Sequence, residues 1–170
     1  MRLDLIPHPD TPSHAALAIM VDVERRGPGL LALRYRLSGN LEGVKMPAAA
    51  PAKRADELWR HSCFEAFIRA GNVYYELNFA PSTLWAAYRF DGYRSGMSPA
   101  PGVAVRRIAA AGPELTVEVE GLPEGAWTLG LSAVIEETDG CISYWSLAHP
   151  PGKPDFHHPD CFVFELPPPV

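Results

Sequence analysis

Proline and glycine interrupt this chain at short intervals, 18 and 14 of them in 170 residues, which leaves few windows where a helix of ordinary length could form. Between the interruptions, apolar residues recur at every second position rather than every third or fourth. In residues 114 to 120, Leu115, Val117 and Val119 alternate with Glu114, Thr116, Glu118 and Glu120, the pattern of a half-buried strand. Leu31, Leu33, Tyr35 and Leu37 alternate with Ala32, Arg34 and Arg36, and Trp127, Leu129, Leu131, Ala133 and Ile135 form another dry face. Further strands are predicted over residues 2–6, 15–23, 63–69, 73–79, 84–90, 103–109, 141–147 and 161–166, roughly eleven in all. The expected fold is all-β, a two-sheet antiparallel β-sandwich of the jelly-roll or immunoglobulin-like kind with little helix. Residues 48–58 have helix-forming composition but carry Pro51 in their middle, so a loop or single turn over one end of the sandwich is expected there.

A chain of this length fits one core, expected over residues 1–166, with a stiff proline-rich tail at 167–170. Apolar residues at 47% are enough to bury that core. The net charge is −5, and residues 111–170 carry ten acids against the single base Lys153. That third would repel phosphate backbones. Arg25, Arg26, Arg34, Arg36, Arg106 and Arg107 read as solvated strand faces, so no nucleic-acid partner is expected. Asp4 and Pro7 stand where a signal peptide needs a basic start and an unbroken apolar run, and no segment is long enough to span a bilayer; a cytoplasmic location without a membrane partner is expected. Cys63, Cys141 and Cys161 cannot all pair and form no Cys-x-x-Cys unit, so buried or half-buried free thiols are expected.

The most informative stretch runs from Leu58-Trp59-Arg60-His61 through Cys63-Phe64-Glu65-Ala66-Phe67-Ile68, a Gly71-Asn72 turn, and Val73-Tyr74-Tyr75-Glu76-Leu77-Asn78-Phe79. It reads as a β-hairpin. Phe64, Ala66 and Ile68 share the core face with Val73, Tyr75, Leu77 and Phe79. Glu65, Phe67, Tyr74, Glu76 and Asn78 occupy the other face. Neighbouring carboxylates are unfavourable unless something answers them. The answer is either a charge network within the protein, through Arg60 or Arg89, or the hydroxyls of a ligand. Trp59, Trp85 and Trp145 add flat aromatic surface if neighbouring strands pair in order, and indole beside carboxylate and amide suits a sugar, whose C–H faces stack while its hydroxyls donate.

On Leu58-Trp59, Phe64-Glu65, Tyr74 to Phe79, Pro81-Ser82, Trp85 to Tyr88, Trp145, His149-Pro150 and Lys153 to Pro159, the chain resembles the type 9 carbohydrate-binding-module and DOMON-like group, in particular small bacterial stand-alone DOMON-like proteins. In the carbohydrate-binding relatives, the resemblance implies, the residues matching Trp59 and Glu65 help hold a sugar. Those matching Glu76 and Asn78 point into the site, and a second tryptophan, matched by position to Trp145, completes an aromatic sandwich. Those relatives tend to carry arginine where this chain has Glu76. Some DOMON relatives bind haem through methionine and histidine; Met46, Met97 and several histidines are present, but none matches those ligand positions, and no cofactor is expected.

The expected ligand-binding set is Trp59, Glu65, Glu76, Asn78, Trp85, Arg89 and Trp145, on a tryptophan-flanked concave face that takes a saccharide or another small polar metabolite. His149, Asp155 and His157 are weak candidates for a metal. Adjacent His157 and His158 point to opposite sides of an extended chain, which favours a loop that satisfies its own backbone. Glu65 with Glu76 could form a glycosidase pair, and Cys63 with His61 a nucleophile pair, but no catalytic motif is present and no catalytic residue is expected. The alternative is a structural or protein-interaction module, with the same tryptophans as anchors in a partner or homo-oligomer interface.

Overall fold

The computed structural model describes residues 1–169, so Val170, the end of the proline-rich tail, lies outside the described residues. Twelve strands form between the proline and glycine breaks: β1 (Arg2–Pro7), β2 (Ala16–Gly27), β3 (Leu30–Gly39), β4 (Cys63–Ala70), β5 (Val73–Phe79), β6 (Trp85–Phe90), β7 (Ser98–Pro99), β8 (Ala104–Ala111), β9 (Glu114–Glu120), β10 (Trp127–Glu136), β11 (Ile142–Ser146) and β12 (Phe164–Leu166). The helical content of the described residues is three single 3-10 turns, at Leu41–Gly43, Leu58–Arg60 and Pro159–Cys161.

The strands join edge to edge in the order β7-β6-β5-β4-β10-β11-β1-β2-β3-β9-β8, every neighbour antiparallel, with β12 paired to the first half of β10. This corrects the two-sheet sandwich expected from sequence: the chain forms one sheet curled into a half-barrel. The cause is β1. Its residues Arg2 to Leu5 pair with β2, while Ile6 and Pro7 pair with β11, so one short strand splices the two arms. Strand count and alternation are the same for either architecture, and the splice leaves no mark in the hydrophobic pattern.

The arms meet over one core inside the curl. Ile19, Val21, Leu31, Leu33 and Tyr35 from β2 and β3 face Phe64, Ile68, Leu77, Leu129 and Leu131 from β4, β5 and β10. Tyr35 stacks on Phe64 at 4.9 Å and its hydroxyl donates to the Glu65 carbonyl at 2.7 Å. Trp127 is buried there too, under the guanidinium of Arg25. On the outer side of β2, β3 and β9 the arginines form ion pairs, Arg36 with Asp22 and Glu114 and Arg26 with Glu118. Cys63 and Cys161 are buried free thiols; Cys141, expected to be at least half-buried, is exposed because the 137–141 turn that ends in it projects into solvent.

The outer face of β4, β5, β6 and β10 carries a second, smaller apolar layer of Phe67, Tyr74, Tyr88, Phe90 and Val134, on which Phe156 and Phe162 of the 147–163 connection rest. Gly130 allows this covering. A Cβ there would meet the Cys161 carbonyl oxygen at 2.9 Å, so only a residue without a side chain lets the connection lie so close to β10.

Candidate functional site

Strand alternation puts the polar set on the outer face, and the register aligns it in rows. Ser132 of β10, Glu65 of β4 and Asn78 of β5 are successive cross-strand partners, and Phe67, Glu76 and Tyr88 form the next row. The covering connection reaches only part of this face. Beside it opens a cavity of about 400 Å³, with Glu65 and Glu76 at its floor and Phe67, Phe90, Val134, Tyr144 and Phe156 around them. Trp59 on the 58–60 turn, Arg94 and Met97 in the loop after β6, and His157 complete the lining.

Both floor carboxyls are nearly sealed from solvent, Glu65 at 2% and Glu76 at 5% exposure. Burial pushes the Glu65 carboxyl well above the usual range, and the neighbouring Glu76 pushes it further, only partly opposed by Ser132, whose hydroxyl donates at 3.3 Å. Burial also raises Glu76, against the Asn78 amide that donates to Oε1 at 3.0 Å and the positive field of Arg94. Two like charges this deep in low dielectric would repel strongly, so the pair favours holding a proton. Asn78 is fully buried, and its Oδ1 has no hydrogen-bond partner among the described residues. An unmet buried acceptor costs on the order of 1–3 kcal/mol.

A chain of hydrogen bonds fixes the side wall. The Arg94 backbone N–H, in a left-handed conformation at φ 50°, donates to the Tyr74 hydroxyl at 3.2 Å. Tyr74 in turn has a proton to donate to His157 Nδ1, 2.8 Å away. With Nδ1 accepting, the imidazole is neutral and its proton sits on Nε2, 3.6 Å from Glu76 Oε2. Burial, reinforced by Arg94, lowers His157 to a pKa of about 4. The Arg94 guanidinium is held by Asp155 at 2.7 Å, and Asp155 also accepts from the Tyr93 hydroxyl.

Of the seven expected ligand-binding residues, the fold brings Trp59, Glu65 and Glu76 to the cavity and places Asn78 beside the floor. Trp85, Arg89 and Trp145 lie elsewhere. Trp85 and Arg89 share the parity of Ala87, on the core side of β6; Trp85 packs on the main core and Arg89 pairs with Asp91. Trp145 is opposite Ala133, inside the core at 3% exposure, its indole N–H donating to Ser143. Among the described residues no second indole faces Trp59. The cavity therefore sits on the outer, not the concave, side of the sheet.

His149, Asp155 and His157 do not converge: His149 bonds the Ile6 carbonyl oxygen, and the other two hold the site's wall. Among the described residues no group of three or more His, Cys, Asp or Glu side chains is placed to hold a metal. Nor do Cys63 and His61 pair. Cys63 is fully buried, with its thiol pushed well up by burial and by Glu65, while His61 is exposed and bonded to Glu136. Sequence reasoning missed Arg94, Phe90, Tyr144 and Phe156. Phe90 was legible, since it shares parity with Tyr88 across from Glu76; the loop residues carry no local signal.

No family model matches this chain, and no curated protein does. A likeness to a solved structure exists. The fold superposes with a TM-score of 0.65 and 14% identity, over 96% of this chain and 84% of the other, on a Bacteroides uniformis ATCC 8492 protein described as a "putative carbohydrate-binding protein". At that identity the likeness extends to the fold.

Proposed function

We propose that this protein is a non-catalytic binding domain whose outer-face cavity takes a small polyhydroxylated ligand, a saccharide above all. One observation carries the reading: an exposed indole, Trp59 at 46%, borders a cavity whose buried floor presents two carboxyls, with Asn78 buried behind them. The indole offers a stacking face to a sugar ring, and the floor accepts hydroxyl protons. A solved neighbour named for carbohydrate binding supports the same direction, as does the DOMON-like resemblance of Trp59, Glu65, Glu76 and Asn78. Titration of a sugar panel with tryptophan fluorescence tests it. Trp127 and Trp145 are buried and Trp85 half-buried, so the response should come from Trp59 and disappear in Trp59→Phe. Silence from every sugar at millimolar concentration would count against the proposal.

A second reading has its own observation. Met97, 55% exposed, lines the same opening as Trp59, and two exposed large side chains at one rim suit an interface with a second copy. Light scattering separates the two: Trp59→Ala lowers the mass of an oligomer but leaves that of a sugar-binding monomer unchanged.

A further inference from the structure

Resting on the saccharide reading above, we propose that the ligand group reaching the cavity floor is a protonated amine, so that the site selects an amino sugar or similar amine-bearing polyhydroxylated compound over its neutral counterparts. The floor has more acceptors than donors. Glu65 and Glu76 line it with four carboxyl oxygens, Asn78 lies buried beside them with its Oδ1 unpartnered, and the donors reaching the carboxyls are the Ser132 hydroxyl, the Asn78 amide and the proton the pair itself holds. A ligand hydroxyl brings one proton to this group; an ammonium brings three, together with the charge that two adjacent carboxyls call for.

The cations nearby do not fill that role. Arg94 is engaged by Asp155, and His157, with Nδ1 accepting from Tyr74, is neutral. Cys63 and Tyr74, the other titratable groups on β4 and β5 beside the pair, are neutral acids, as is Tyr88 on β6, which donates to Asp56. The walls are aromatic as well: Phe67, Phe90, Tyr144 and Phe156 line the cavity, and aromatic side chains are compatible with a bound cation.

Entry of a cation changes the protonation of the floor. An ammonium beside Glu65 and Glu76 favours the ionised carboxyls, so the proton that burial keeps on the pair passes to the buffer as the amine binds. A neutral sugar brings no charge and releases little.

Calorimetric titration of the protein with glucosamine, N-acetylglucosamine and glucose, in phosphate and again in MES at a slightly acid pH where the amine is charged, tests this. Glucosamine should bind about tenfold tighter than either neutral sugar. Its apparent enthalpy should differ between the two buffers in the sense of proton release, and Glu76→Gln should bring the affinity ratio towards one. N-acetylglucosamine or glucose binding as well as glucosamine would overturn the amine proposal and leave the saccharide reading standing. Binding of none of the three would overturn both.

Discussion

His157 and the two floor carboxyls pull the stability of the protein in opposite directions as pH changes. The His157 pKa falls from 6.5 to about 4 on folding, so between those values the unfolded chain binds a proton that the folded one refuses. Stability is therefore unaffected by this residue above 6.5, declines as pH falls towards 4, and levels off below; the whole effect is about 3 kcal/mol at most. Glu65 and Glu76 are raised on folding. Their contribution is fully present below the unfolded value of 4.5 and is lost as pH rises through the folded pKa. His157→Gln should flatten the acid limb of a urea-midpoint profile between pH 6.5 and 4, because glutamine still accepts from Tyr74 and does not charge. Glu76→Gln should act at the other end, raising stability at neutral pH by about 1 kcal/mol by removing a carboxyl that is costly to ionise where it lies. A larger gain at pH 4.5 than at neutral pH would contradict the assignment. That gain in stability accompanies loss of a group at the floor of the cavity, as expected where function keeps an unfavourable residue buried.

At the scale of the strands, parity explains both what the sequence revealed and what it concealed. The hairpin of β4 and β5 was legible apart from Val73 at its turn, since its two runs alternate cleanly and its turn is short: Phe64, Ala66, Ile68, Tyr75, Leu77 and Phe79 reach the core and the polar set takes the other face. Trp145, Trp85 and Arg89 were misplaced for want of register between strands. Trp145 pairs with Ala133 and Trp85 with Phe79, each on the dry face. Aligning β6 on β5 and β11 on β10 would have sent them inward, but the 137–141 and 80–84 connections do not set register by length alone. Gly130 is the one local sign that something crosses the outer face of β10. Its replacement by alanine places a methyl group 2.9 Å from the Cys161 carbonyl oxygen, and the covering connection must lift, carrying Phe156 and His157 with it. A loss of about 1–3 kcal/mol in thermal or urea unfolding, together with weaker sugar binding, is the expected result. An equal loss of stability with unchanged binding would mean that the connection does not shape the cavity. Glu137 ties another pair of elements: its buried carboxylate accepts from the Ser13 hydroxyl and the His14 and Ala15 backbone N–H groups, joining the start of β2 to the end of β10. Burial alone would raise it, but these bonds hold its pKa below the ordinary value. Glu137→Ala should cost about 2–3 kcal/mol at neutral pH, and the difference from the native chain should shrink below pH 4.5 as the carboxylate protonates.

Closure of the whole molecule depends on contacts that no single strand announces. Residues 2–6 read as one strand, and the exchange of partners after Leu5 is invisible in them, because each half alternates in the same phase. What holds the arms of the curl together is apolar packing with a polar lock inside it, Tyr35 of β3 against Phe64 and Glu65 of β4. Tyr35 is fully buried, so its hydroxyl is desolvated and must find an acceptor; the Glu65 carbonyl is that acceptor, and its side chain on the opposite face forms the cavity floor. The lock thus fixes from within the strand that presents Glu65 outward. Tyr35→Phe keeps the stacked ring and deletes one hydrogen bond, for a cost of about 1 kcal/mol. Tyr35→Ala also opens a cavity between the arms, for about 3–5 kcal/mol. Urea unfolding of the two variants separates ring from hydroxyl: a Tyr35→Phe loss as large as that of Tyr35→Ala would show that the hydrogen bond, not the packing, closes the sheet. With packing dominant, Tyr35→Phe should retain the cooperativity of the native chain, and any change in sugar affinity would then report movement of β4 rather than loss of the fold.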